Sequence, residues 1–298
     1  MAQHRGSIVS CEIIIKRNVM KIRALLLATG LMFGSHIAVA AEKLLTIGGA
    51  VTEIVYALGK GNEVIANDIT SGYPEAAASK PKVGYMRTLS AEGLMSTGAT
   101  LIIAEAGAGP RNVIDQVRNA GVKVLQLQET DHTPQQVAAN IRTIGDYLGA
   151  STTQQVAADF EKSWQEAKVK LAKLPGHPRV LFVMNNSGRG AHAAGDETAA
   201  SAVIKLIHAE NVMAGQFKSY KPLTAEALVA AAPEVIVTTN ESLEASGGLP
   251  GFLKTPGISM TPAGKQKRII SMDTQYILGF GPRLPAAMVE LGEAIRKQ

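Results

Sequence analysis

The sequence predicts an α/β protein of two Rossmann-like lobes, each with a central parallel sheet, joined by one long rigid α-helix, with a ligand cleft between the lobes. Three observations carry this expectation. Short, nearly continuous apolar runs alternate with helical patterns, as in parallel sheets covered on both faces. The stretch from Ser151 to Pro175 runs through the middle of the chain without an internal helix breaker. A helix–strand phrase near residue 90 returns 134 residues later. The length, 298 residues, also favours two domains of ordinary size over one.

In chain order, "LLTIGGA" (Leu44–Ala50) reads as a strand and "VTEIVYALG" as the helix after it. The strand "NEVIAND" then leads into a loop punctuated by Gly72, Pro74, Pro81 and Gly84. The helix "SAEGLMSTG", strand "TLIIAEAG", helix "PRNVIDQVRNAG" and strand "VKVLQLQ" follow. "TPQQVAANIRTIGDYLG" closes this half as a helix, with Thr133 as cap and Pro134 at its first position. The central stretch places Val156, Phe160, Trp164, Ala167 and Leu171 on one stripe before Pro175-Gly176 stops it. A flexible linker would be rich in Gly, Ser and Pro; this is a strut, and the cleft it spans should change little in width. The second half repeats the plan, with strands "RVLFVMN", "EVIVTTN" and "KQKRIISM" among the helices "TAASAVIKLIHAE", "TAEALVAAAP" and "RLPAAMVELGEAIRK". The expected boundaries are 41–150 for the N-terminal lobe, 151–175 for the connecting helix and 176–298 for the C-terminal lobe.

Residues 1–40 are expected to form a removable export signal. Lys21 and Arg23 precede an apolar run from Ala24 to Phe33, and Ala38-Val39-Ala40 offers a cleavage site. The apolar run is about half the ~20 residues that a membrane span needs. Met20 is an alternative start to Met1. The leader carries five basic residues against Glu12, so its removal takes the formal charge from +5 to +1. The basic balance therefore belongs mostly to the leader and gives no ground for nucleic-acid binding. Cys11 leaves with it, and a mature chain without cysteine excludes thiol catalysis, disulfides and cysteine-based zinc sites. A soluble protein in the periplasm is expected.

The repeat aligns Leu89-Ser90-Ala91-Glu92 with Leu223-Thr224-Ala225-Glu226, Leu94 with Leu228, and Leu101-Ile102-Ile103 with Val235-Ile236-Val237. One helix–strand unit is used once per lobe. Ahead of the first copy only, the loop "GYMR" carries Tyr85 and Arg87 behind Gly84. Phenolate is a hard anionic ligand, and tyrosine is an axial ligand of haem iron. A free phenol ionises near pH ~10, so ligation at neutral pH needs help, which a guanidinium hydrogen-bonded to the oxygen supplies. In an extended loop, residues two apart point the same way, which would set Arg87 beside Tyr85. From the residues alone, an ordinary surface Tyr and Arg fits as well.

The leader, the two lobes, the central helix, "GYMRTLSAEG" and "SYKPLTAEALVAAAPEVIV" together resemble the periplasmic haem-binding proteins of bacterial haem ABC importers. These belong to the helix-strut class of substrate-binding proteins, with the vitamin B12 and siderophore binders. The resemblance covers residues 41–298, and its haem-specific part is the Tyr-x-Arg before Leu-Ser-Ala-Glu. It implies haem as a transported ligand rather than a catalytic cofactor, with Tyr85 on the iron and Arg87 in support. It further implies an ABC permease and its ATPase as partners, reached through one glutamate per lobe, for which Glu92 and Glu226 stand at the right places. An outer-membrane haem receptor system would act upstream. From the residues alone, the two glutamates are equally first-turn acids that stabilise a helix.

Other cleft candidates are Asn185, Asn186, Arg189 and His192 in "MNNSGRGAHAAGDET", Tyr220 as a rival iron ligand, and Gly48 and Gly49 at a strand-to-helix turn. Some of the resembling proteins carry a histidine early in the first of these loops; here Asn185 and Asn186 occupy that place. Arg283 and Arg189 are candidates for the haem propionates. Ser187, His192 and Asp196 lack the Gly-x-Ser-x-Gly elbow of a hydrolase. "EAGAGPRN" lacks the Gly-Lys-Ser/Thr ending of a phosphate loop. A ferric-siderophore or cobalamin binder on the same fold is the nearest alternative, and an exported hydrolase a more distant one.

Overall fold

The computed structural model describes residues 42–128, 131–186 and 190–297. The expected leader and Arg189 fall outside them. The first-half apolar runs form strands β1 (Leu44–Ile47), β2 (Val64–Asn67), β3 (Leu101–Ala104) and β4 (Lys123–Gln126), paired in the order β2-β1-β3-β4. All three pairings are parallel. Strands β1 and β3 lie inside the sheet and are buried at every residue, which is why they read as unbroken apolar runs. At the edge, β4 keeps Lys123 in water. The helices Gly49–Ala57 and Arg111–Asn119 belong to the crossovers that parallel pairing requires.

The second sheet is mixed, which the sequence reading did not anticipate. Strands β5 (Arg179–Asn186), β7 (Glu210–Asn211), β9 (Val235–Thr239) and β10 (Ile269–Met272) pair in parallel. Strands β6 (Gly190–Ala194) and β8 (Tyr220–Pro222) add an antiparallel extension, completing the order β10-β9-β5-β6-β8. Only three residues separate β5 from β6. That is too short for a crossover, so the chain must return antiparallel.

Between the sheets runs the helix Thr153–Leu171, 19 residues long and therefore roughly 28 Å. It packs on the helix Pro134–Tyr147 from one side and Leu284–Ala294 from the other. Ala157, Phe160, Trp164, Ala167 and Leu171 are its buried stripe, with Val156 at the margin. One apolar cluster continues from Leu44 and Ile54 through Trp164 to Phe182 and Leu291. The strut is thus part of a continuous core within Glu42–Gln298, which forms a single compact unit. No helix among the described residues is long and apolar enough to cross a membrane.

The repeat persists in backbone detail. Ser90 Oγ accepts from Gly93 N at 3.1 Å, and Thr224 Oγ1 accepts from Ala227 N at 3.2 Å. These caps satisfy an otherwise unpaired amide at the start of the helices Ala91–Ser96 and Ala225–Ala231. Leu94 and Leu228 are buried one turn on, and each helix ends at a left-handed residue, Gly98 at φ 68° and Ala232 at φ 44°. β3 and β9 then enter the two sheets.

Candidate functional site

Tyr85 is presented on a tight turn instead of an extended loop. Thr88 N donates to Tyr85 O at 2.9 Å, closing residues 85–88. This corrects the expectation that Tyr85 and Arg87 align through strand-like alternation. Met86 and Leu89 point into the core of the first lobe, while Tyr85, Arg87 and Thr88 face outward. The turn is stapled to the loop after β3: Gly109 N donates to Met86 O at 2.8 Å, and Leu89 N donates to Gly109 O at 3.0 Å. Gly84, at φ 97°, allows the approach and accepts from Ile69 N at 3.0 Å through its carbonyl. The outcome is a phenol 42% exposed on an anchored backbone.

The Arg87 guanidinium lies over Gly107, where an added Cβ would stand 3.6 Å from Nη2. Among the described residues no hydrogen bond joins it to Tyr85. Its charge acts on Tyr220 of β8 and on Glu105 after β3. Arg87 also lines a cavity of about 230 Å³ together with Met86, Glu105, His132, Leu278 and Phe280, whereas Tyr85 and Tyr220 are not among its lining residues. His132 stands edge-on to Phe280, ring centroids 5.1 Å apart. His132 escaped the sequence reading. Its signal was its place, just before the Thr133 cap at the carboxyl end of a parallel strand, where α/β sheets bind ligands.

Tyr220, the rival iron ligand, starts β8 and is half-buried. Burial pushes its phenol above the ordinary range, against the pull of hydrogen bonds from Ala200 N–H and Thr198 and of Arg87. The hydroxyl is thus held neutral against the start of the helix Ala199–Leu206.

Gly48 and Gly49 do not line open space. Gly48 takes φ 104°, and a Cβ there would run into the Glu105 carboxyl; at Gly49 it would meet Thr70 O at 2.8 Å. The pair permits close packing against Glu105 and Thr70, beside Ala50, which lines the cavity. Asn185 is engaged too: its side chain donates to Ser246 Oγ at 2.7 Å and its amide to Ser242 Oγ at 3.1 Å. Asn186 ends β5 opposite Gly190. His192 Nδ1 lies 3.1 Å from its neighbour Gly190's carbonyl oxygen, and Asp196 accepts from Gly215 N at 2.8 Å. Ser187, the third residue of the imagined triad, falls outside the described residues. Arg283, expected near a propionate, is committed to Glu53: Nε and the backbone amide each donate to its carboxylate at 3.0 Å. Glu92 and Glu226 are exposed, and neither has an ion-pair partner among the described residues.

Glu105 is the acid of the cavity. Its Oε1 accepts from Ala50 N at 3.1 Å at the start of the helix Gly49–Ala57. Burial raises its carboxyl from 4.5 to about 7; Asp68 adds to the rise, while the Ala50 and Val51 amides and Arg87 oppose it. Between those two pH values the folded chain holds a proton that the unfolded chain has released, so stability should fall as pH rises through the window. The full shift corresponds to about 3 kcal/mol, less where water reaches the half-buried group. Glu105→Gln should flatten that slope in chemical denaturation followed from below pH ~4.5 to above pH ~7. Parallel profiles for the two proteins would remove Glu105 as the titrating group.

The model of the periplasmic binding protein family matches residues 45–276. The chain belongs to this family. Similar solved structures include the periplasmic heme-binding protein BhuT in complex with two hemes, 42% identical with a TM-score of 0.81. The match covers 86% of this chain and 98% of that one. The periplasmic heme-binding protein RhuT from Roseiflexus sp. RS-1, in apo form, is 34% identical at a TM-score of 0.82, with the same coverage. A vitamin B12-binding protein from Vibrio parahaemolyticus is 24% identical over 253 residues, 85% of this chain and 88% of that one. The two-lobed α/β architecture read from the sequence is therefore that of a substrate-binding protein class.

Proposed function

We propose that this protein captures haem in the cleft beside Tyr85 and delivers it to an inner-membrane ABC permease. It binds and releases its ligand with no covalent bond made or broken. One observation carries the reading: an exposed phenol on an anchored turn that also carries a guanidinium lining the cavity. The chemistry of the donor set fits haem. Among the described residues no group of three or more His, Cys, Asp or Glu could hold a bare metal ion. A porphyrin brings four nitrogens of its own, so one phenolate suffices to anchor the iron. Met86, Leu278 and Phe280 offer apolar surface to the macrocycle, and Arg87 offers a cation. The family likeness supports the same conclusion through BhuT and RhuT, both described as heme-binding.

Delivery is proposed to take place in the periplasm after export on the 1–40 leader. Glu92 and Glu226, exposed at matching places in the two halves, would meet basic residues of the permease and its ATPase assembly. An outer-membrane haem receptor would supply the ligand. The boundaries 41–150, 151–175 and 176–298 remain the proposed division of lobe, strut and lobe.

A second reading, a cobalamin or ferric-siderophore binder, has the vitamin B12-binding relatives in its favour. Titrating the purified protein with haemin, and separately with cobalamin, distinguishes them. A saturable ferric-haem spectrum with a phenolate charge-transfer band is expected, and cobalamin should compete weakly. Saturable cobalamin binding without haemin binding would overturn the haem reading.

A further inference from the structure

Eight large apolar side chains stand out in solvent among the described residues, and two of them, Met95 at 44% and Val229 at 36%, are related by the same 134-residue offset as the repeat. Each lies three residues after an exposed glutamate: Met95 after Glu92, Val229 after Glu226. Residues three apart on a helix are surface neighbours. Burial of Leu94 and Leu228 fixes the rotation of the helices Ala91–Ser96 and Ala225–Ala231, so both halves turn the same acidic–apolar pair outward.

Isolated exposed apolar residues are ordinary. Their recurrence at one position of a duplicated unit is a different observation. Helix stability needs the cap and the buried leucine, and both are present; it does not need an exposed Met or Val beside the carboxylate. Val is moreover a poorer helix former than Ala, so Val229 does not serve the helix itself. The carboxylates are exposed and lack a cation from this chain among the described residues, which leaves both open to one on a partner.

We infer that Glu92–Met95 and Glu226–Val229 are two copies of one composite docking element. Each presents a carboxylate to a basic side chain of the permease and an apolar side chain to a pocket beside that cation. The partner is a two-fold assembly offering the same cation-and-pocket surface twice. This rests on the permease-delivery reading above and adds an apolar, salt-insensitive component to it. Steering and orientation would come from the glutamates, whose contribution screening weakens. Water exclusion around each charge pair would come from Met95 and Val229, and that contribution would persist in salt.

The test uses the haem-loaded protein and its cognate permease–ATPase complex in lipid nanodiscs, with affinity and ATPase stimulation measured at low and high salt. Met95→Ser/Val229→Ser should weaken binding roughly tenfold at both salt levels, with the haem spectrum and melting temperature unchanged. Met95→Leu/Val229→Ile should restore it. Glu92→Gln/Glu226→Gln should weaken binding mainly at low salt. Weakening by the glutamate pair alone would overturn the apolar element and leave the docking reading standing. Wild-type behaviour in both double variants would overturn the docking reading as well. A loss with Met95→Ser/Val229→Ser that vanishes at high salt would also count against the apolar element.

Discussion

Replacing Tyr85 with phenylalanine should cut haem affinity by more than the roughly 10–100-fold that loss of an outer-shell partner costs a metal site, and abolish the phenolate-to-iron charge-transfer band. The substitution removes one oxygen and nothing else. Because the side chain is 42% exposed and Met86 and Leu89 anchor its turn, the fold should be indifferent to it. Tyr220→Phe is the matched control. Its oxygen is held by Ala200 and Thr198, so its loss should cost about 1 kcal/mol of stability and leave the haem spectrum in place. Arg87→Ala should keep a binding site. Without the cation that lines the cavity, haem affinity should fall while the phenolate charge-transfer band stays. An unchanged spectrum in Tyr85→Phe would sink Tyr85 as the ligand. Spectral loss in Tyr220→Phe instead would move the ligand to the second half.

Local, repeated features were legible in the sequence, and pairings between distant residues were not. The strut could be read because every third or fourth residue from Ala157 to Leu171 faces one core without interruption. The duplicated unit could be read because its Ser/Thr cap, buried leucine and apolar strand are adjacent in the chain. The 85–88 turn was missed because Gly-Tyr-Met-Arg is compatible with extended backbone; its closure depends on staples from Gly109. The close packing at Gly48 and Gly49 was not legible because what stands against them, Glu105 and Gln275, lies far along the chain. The mixed second sheet was missed because Gly190–Ala194 has too few apolar residues to read as a strand. His132 was missed for another reason: a lone histidine beside a helix cap looks like solvent-facing loop until Phe280 arrives from the other half.

Arg283→Ala should destabilise the protein by about 3 kcal/mol and lower its thermal midpoint by roughly 6–12 °C, while haem affinity stays close to that of the parent. Glu53 sits on the first-half helix Gly49–Ala57 with its side chain only 5% exposed, and Arg283 is its ion-pair partner from the other half. The guanidinium is stacked on Tyr73, 3.6 Å from the ring centroid, with Tyr276 at 5.0 Å. Beside it, Gln275 accepts from Gly72 N and Tyr73 N at 2.9 and 3.0 Å and donates to Gly49 O at 3.0 Å. Removing the arginine leaves a buried carboxylate unpaired and forfeits the aromatic contacts, both of which act on folding. A propionate-binding arginine would behave in the opposite way: exposed and cheap to lose for the fold, costly for the ligand. The double variant Glu53→Leu/Arg283→Met should recover much of the lost stability, because it removes the stranded charge and keeps the volume. A large fall in haem affinity with an unshifted melting curve would return Arg283 to the ligand. A shifted melting curve, rescued in the double variant, would establish it as the clasp that holds the second half against the first and keeps the cleft at a set width.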